Sequence, residues 1–218
     1  MIGTTTWTIT LLCLLLNINC YADRSNIGIV LLSLDYSDTM KGMVMSAFFY
    51  GYICTQILGG RSCLSRGPVV TLLIGVFFWC IFDALTVLVY EIPFLFIMCR
   101  VGMGLGEGVV YPSLHHIASR WFRKDHKTFL LMVVTAGMDL GTVMALLITP
   151  VIIAHFGWKY VFLFSSASNF LWMGLFSLFA ADSPDKHNSI SAAERQWIFA
   201  GRDRFVDSDQ PIDRKSVV

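Results

Sequence analysis

Apolar residues along this chain come in long unbroken runs, not in the period-two alternation of half-buried strands. A helical span takes roughly 20 predominantly apolar residues. Six runs reach or approach that length, at 7–34, 43–60, 69–89, 93–118, 129–154 and 161–181. Short connections at 35–41, 61–67, 91, 120–127 and 155–159 carry most of the intervening charge. From Asp182 onward Asp, Arg, Ser and Pro dominate and no further span follows. The pattern predicts a transmembrane bundle over residues 1–181 and a polar tail over 182–218.

Composition narrows the class. The 218 residues are 56% hydrophobic and only 14% charged, whereas a soluble domain carries about 25% charged residues. A soluble globular enzyme is therefore excluded, and so is disorder, which is poor in aromatic and apolar residues. With 16 Lys and Arg against 15 Asp and Glu, no electrostatic footprint for nucleic acid exists. What remains is an all-α, multi-pass membrane protein.

Basic residues in short loops favour the cytoplasmic side. The second and fourth connections hold Arg61, Arg66, Arg120, Arg123, Lys124 and Lys127, against Lys41 and Lys159 in the other three. Both termini are then expected in the cytoplasm, in agreement with Lys186, Arg195, Arg202, Arg204, Arg214 and Lys215 of the tail. A cleaved signal peptide is the competing reading of the first span. The first six residues lack Lys and Arg, and apolar character resumes at Ile27, so an uncleaved span is expected.

Ionisable residues inside spans are costly and mark function by default. Here they are Asp23, Arg24, Asp83, Arg100, Glu107 and Asp139. Positions seven apart lie about 20° apart around a helix, so Arg100 and Glu107 share a face with Met103, Gly104 and Tyr111. Asn17, Tyr21, Arg24 and Gly28 form a similar stripe on the first span. Two such stripes suggest a shared aqueous cavity. Arg24 and Glu107 read as functional, and Arg100, near its span's entrance, as half of a structural ion pair. Arginine suits an anion because its planar fork grips carboxylate or phosphate bidentately. A carboxyl group suits proton coupling because loss of water stabilises its protonated form.

The glycine run 102–108 is not a nucleotide loop, since no strand precedes it and it lies within a span. Gly104 with Gly108, and Gly137 with Gly141, instead have the four-residue spacing that lets membrane helices approach closely. Pro112 and Pro150 are expected to kink their helices. Phe48, Phe49, Tyr50 and Tyr52 read as packing, with Gln56 the polar group of interest beside them. The six cysteines read as small buried hydrophobes, with no metal site or cofactor implied. In the tail, Ser191 and Glu194 form a capping box for a helix over 192–200, expected to lie against the membrane surface.

Several segments resemble the anion:cation symporter family of the major facilitator superfamily. They are Cys-Tyr-Ala-Asp-Arg-Ser-Asn-Ile at 20–27, Ser-Ala-Phe-Phe-Tyr-Gly-Tyr with Thr-Gln-Ile-Leu-Gly-Gly at 46–60, and Arg-x-x-x-Gly-x-Gly-Glu-Gly-x-x-x-Pro at 100–112. Ser-Arg-Trp at 119–121, Phe-Gly-Trp-x-x-x-Phe at 156–162 and Ser-Pro-x-x-His-x-x-Ile-Ser-x-x-Glu-Arg at 183–195 continue the match in family order.

The resemblance implies the amino-terminal six-helix half of a major facilitator fold. The implied activity is secondary active transport of an organic or inorganic anion, driven by H+ or Na+. Arg24 would match the substrate-binding arginine, Asp23 and Glu107 the carboxylates linked to protonation, and His115 the fourth-helix histidine. Tyr21, Gln56 and Tyr111 complete the expected binding set. Arg100, Gly104, Gly108, Pro112, Gly137 and Gly141 are expected to be structural.

Two departures stand out. The loop after the second span is shorter than the family pattern and lacks its Asp, which puts the gating ion pairs of that loop in doubt. Family members also have about twelve spans, and the site lies between their halves. A second six-helix half is therefore the expected partner, beside the small anion and the lipid bilayer. The alternative is a truncated, non-transporting chain that at most associates with partner helices.

Overall fold

The computed structural model describes residues 2–201. Arg202, Arg204, Arg214 and Lys215, which entered the charge argument, lie outside the described residues. The elements are α1 (Thr4–Leu32), α2 (Asp38–Arg66), α3 (Pro68–Val89), α4 (Pro93–Glu107), α5 (Val110–Trp121), α6 (Lys124–Phe156), α7 (Lys159–Phe179), a short 3-10 turn (Pro184–Lys186) and α8 (Ala192–Ala200). With α4 and α5 taken as one interrupted span, six helices are long and apolar enough to cross a membrane.

The second connection is not the loop that its charges suggested. Arg61 and Arg66 lie on the last turns of α2, because Arg, Ser, Cys and Leu are all compatible with a helix. Only Gly67, at φ 92°, turns the chain, and Pro68 starts α3 at once, where a missing N–H costs nothing. The fourth span breaks at Gly108–Val109, just before Pro112. Proline has no N–H to offer the carbonyl four residues back, which is that of Gly108. Pro150, by contrast, sits within an uninterrupted α6.

Glycine pairs let the helices close on one another. A Cβ on Gly104 would lie 2.0 Å from the Phe48 carbonyl oxygen of α2, and one on Gly141 would lie 2.3 Å from the Ile18 carbonyl oxygen of α1. Gly108 and Gly137 meet Tyr52 and Leu14 backbone in the same way. The α1–α6, α2–α4 and α3–α4 contacts are the most extensive in the bundle. One apolar cluster, around Leu16, Trp79, Trp121 and Phe176, fills the end at which α1 begins and α8 packs. A second, around Val30, Phe96 and Phe162, fills the opposite end. Asp23, Asp83, Arg100, Glu107 and Asn169 are buried in the layer between them.

The tail packs on the bundle, not on the membrane surface, because Ile198 of α8 is fully buried in the first cluster. Its capping box is half formed: Ser191 accepts from the Glu194 backbone N–H at 3.2 Å. The Glu194 carboxylate reaches α1 instead, accepting from the backbone N–H of Thr6 at 2.8 Å and of Thr5 at 3.3 Å, and from the Thr6 hydroxyl. Asp182 treats α3 alike, accepting from Val69 N–H at 3.0 Å. Both carboxylates satisfy otherwise orphaned donors at positive helix ends. Glu194→Ala is expected to cost about 2 kcal/mol, the scale of a charged cap with several hydrogen bonds, read as a lowered melting temperature in detergent. An unchanged melting temperature would show that the clasp contributes nothing.

Candidate functional site

Arg24 and Glu107 meet between α1 and α4. Arg24 Nε donates to Glu107 Oε1 at 2.7 Å. Nη2 lies 2.6 Å from the same oxygen but out of line for a hydrogen bond. Glu107 Oε2 is buried and without a partner. The pair is thus one-sided: a single oxygen takes the guanidinium, and neither group has its full set of partners. The Glu107 side chain is 1% exposed, whereas Arg24 is 20% exposed, so the arginine stands at the open side.

An aromatic wall holds the guanidinium in place. Its carbon lies 5.0, 5.2 and 4.8 Å from the ring centres of Tyr21, Phe48 and Tyr52, within range of cation–π attraction. Phe48 is core packing as expected, but Phe48 and Tyr52 also face the cation, a role the sequence did not reveal. Their helical position offered a signal, since Tyr52 and Gln56 are i,i+4 neighbours on α2. The Tyr21 and Tyr111 hydroxyls are 3.0 Å apart, and Tyr111 also reaches Met138 Sδ on α6. Gln56 is exposed one turn beyond Tyr52. His115 is exposed one turn beyond Tyr111, with no hydrogen bond to any described residue.

Adjacent residues on a helix point about 100° apart, and Asp23 accordingly turns away from Arg24. It faces α7, where the Ser165 hydroxyl donates to Oδ1 and the Asn169 amide donates to Oδ2 at 3.3 Å. Asp83 of α3 is fully buried, with Ser166 donating to Oδ2 at 3.1 Å and Oδ1 unpartnered. Arg100, 2% exposed, forms no ion pair among the described residues. It lies over the Phe48 ring and donates from Nη1 to Met103 Sδ. The expected ion pair is replaced by a shared field of buried charge. Asn17, read as part of the cavity stripe, instead donates to the Val134 carbonyl of α6 and is buried. Ser165, Ser166 and Asn169 were missed in the sequence, although their spacing puts them on one face of the last span.

Buried charges on α1, α3 and α4, within three of the six spans, define a membrane bundle built around a polar centre, as transport proteins have. The chain belongs to the Major Facilitator Superfamily, whose family profile matches residues 9–212. It is 37% identical over 201 residues to a probable anion transporter of the chloroplast from Oryza sativa subsp. japonica, covering 89% of this chain and 34% of the relative. It is 34% identical to the chloroplastic ascorbate transporter of Arabidopsis thaliana, covering 89% and 37%. With sialin from Ovis aries it shares 33% identity, covering 79% and 35%. The chain thus spans about a third of the length of these relatives, which are membrane transporters and not enzymes. A POT-family peptide transporter crystal structure superposes with a TM-score of 0.67 at 17% identity, over 87% of this chain and 39% of the other. At that identity the likeness concerns the fold.

Proposed function

We propose that this chain forms the amino-terminal half of a secondary transporter for a small carboxylate or phosphate, with Arg24 as the anion anchor and Asp23 and Glu107 as the carboxyl groups linked to the proton. The observation that carries this reading is the one-sided Arg24–Glu107 pair. A buried ion pair made only for stability is expected to use its hydrogen bonds fully. Here an unpaired carboxylate oxygen stands ready for a proton, and the partly exposed arginine, held by one oxygen only, is available to an anion. An anion arriving at Arg24 would release Glu107, and the released carboxylate would take up a proton. The substrates for which relatives are named, ascorbate and phosphate among them, agree with an anionic cargo.

A second half belongs to the proposal. Large apolar side chains lie open along α2 and α6, including Ile57 at 77% and Leu147 at 68% exposure. Asp139 is exposed on that same face of α6 and has no hydrogen bond or ion pair among the described residues. A carboxylate midway along a span does not face hydrocarbon; a partner helix or a water-filled cavity suits it. We place both termini in the cytoplasm on the charge asymmetry of the connections.

Reconstitution into liposomes tests the reading. Joined to a carboxy-terminal six-helix half from a relative, the chain should accumulate labelled anion when an inward proton gradient is applied. Alone, it should not. Concentrative uptake by the chain alone would overturn the need for a second half, and failure of the joined halves to bind any carboxylate or phosphate would overturn the anion assignment.

A further inference from the structure

On the side of Asp23 away from Arg24, α1, α6 and α7 line a half-open cavity of about 160 Å³. A water's share of liquid volume is about 30 Å³, so several waters fit. The cavity lies in the half of the bundle away from the start of α1, since it reaches α1 only from Ile18 onward and α7 near its beginning. Asn19, Asp23 and Asn26 of α1 line it on one face, opposite Thr149 of α6 and Ser165 and Ser168 of α7. Each α1 residue meets one hydroxyl: Ser168 donates to Asn19 at 3.2 Å, Ser165 to Asp23, and Thr149 to Asn26. Single interhelical hydrogen bonds of this kind are common membrane glue. Three in a row form a polar stripe along α1 in a groove whose other walls are apolar, among them Ile148, Ile152 and Phe164, and hydrocarbon would cover that stripe only at a cost.

A separate observation lies behind Asp23. Asn169 is fully buried and gives its amide to Asp23, yet its own Oδ1 has no partner. Asp83 Oδ1, beyond Ser166, is equally orphaned. Buried acceptors without protein donors call for water. The charged and titratable neighbours of Asp23 are Cys20 and Arg24 on α1, Cys80 and Asp83 on α3, and Arg100 and Glu107 on α4. From α6 and α7 the cavity receives only hydroxyls and apolar groups.

We propose that the groove between α6 and α7 is a watered path that delivers the coupling proton to Asp23, separate from the face on which Arg24 holds the anion. This rests on the proton-coupled reading above. The proton and its cargo then approach α1 from different sides, and blocking one route leaves the other open.

Thiol labelling in the joined transporter tests the path directly. Cys54 is the one natural cysteine that is exposed and is first replaced by Ser. Ser168→Cys should then react with a charged, membrane-impermeant thiol reagent at least about tenfold faster than Leu171→Cys, because the reactive thiolate needs water. Leu171 is 68% exposed on the same helix. Equal rates would show a lipid-filled groove and overturn the proposal.

Filling the cavity gives a second readout. Ala22→Leu should lower proton-driven uptake about tenfold, the usual scale of linkage between two ligands, while anion exchange stays within about twofold of the parent. Parallel loss of both, or loss of neither, would overturn the path. If the parent showed no proton-driven uptake, the coupling reading and the path would fall together, and labelling of Ser168→Cys would then record only a watered groove.

Discussion

Arg24→Lys, in the joined transporter, is expected to lower anion affinity about tenfold to a hundredfold although the charge is kept. A hydrogen bond to a charged group contributes about 1.5–3 kcal/mol, and lysine cannot reproduce the second arm of the guanidinium fork. The aromatic wall adds to the effect. Tyr21, Phe48 and Tyr52 surround a flat cation, and a flexible ammonium stem does not occupy that slot in one orientation. Affinity is measured by competition with a labelled anion, alongside the melting temperature of the same preparation. A lowered melting temperature with parental affinity in the folded fraction would reduce Arg24 to a brace between α1 and α4.

Glu107→Gln separates binding from driving force. The amide imitates the protonated carboxyl, so Arg24 is freed from its 2.6 Å ion pair while the local shape is kept. Anion exchange across the membrane should continue, and the dependence of net uptake on the proton gradient should vanish. If a sodium gradient drives the parent, the same substitution should remove sodium dependence. Retention of full gradient dependence would exclude Glu107 as the carrier. Gly104 and Gly108 matter here as well: by admitting α2 backbone so closely they keep water from the carboxyl, and a larger residue there would disturb the packing on which this chemistry depends.

Much of the bundle could be read from hydropathy alone, because a span needs only length and apolar content to declare itself. Side-chain direction was harder. Arg100 and Glu107 do share a face by helical geometry and both are buried, yet only Glu107 meets an oppositely charged side chain, Arg24 of α1, a pairing that the pattern of α4 does not announce. Asn17 fits the periodic stripe of Arg24 but is taken by an α6 carbonyl, a partner 117 residues away that no local pattern announces. The Arg61–Gly67 segment was misread because charge was taken to mean loop, whereas a helix end tolerates arginine well. Asp23 and Arg24 are neighbours in sequence, yet they face α7 and α4 respectively. Glu194 was read as a local cap, and its reach to Thr5 and Thr6 depends on the packed bundle bringing the two ends of the described chain together.

That last contact bears on how the protein is made. The first turn of α1 leaves the ribosome well before the carboxylate that completes it, which follows 188 residues later. During synthesis the opening N–H groups of the first span must borrow water or lipid headgroups as partners. Only when residues 182–200 emerge can Asp182 and Glu194 fasten α3 and α1 to the same short stretch of tail. Closure of this bundle therefore waits for residues 182–200, and chains released before Glu194 should be more susceptible to membrane quality-control proteases than those that extend past it.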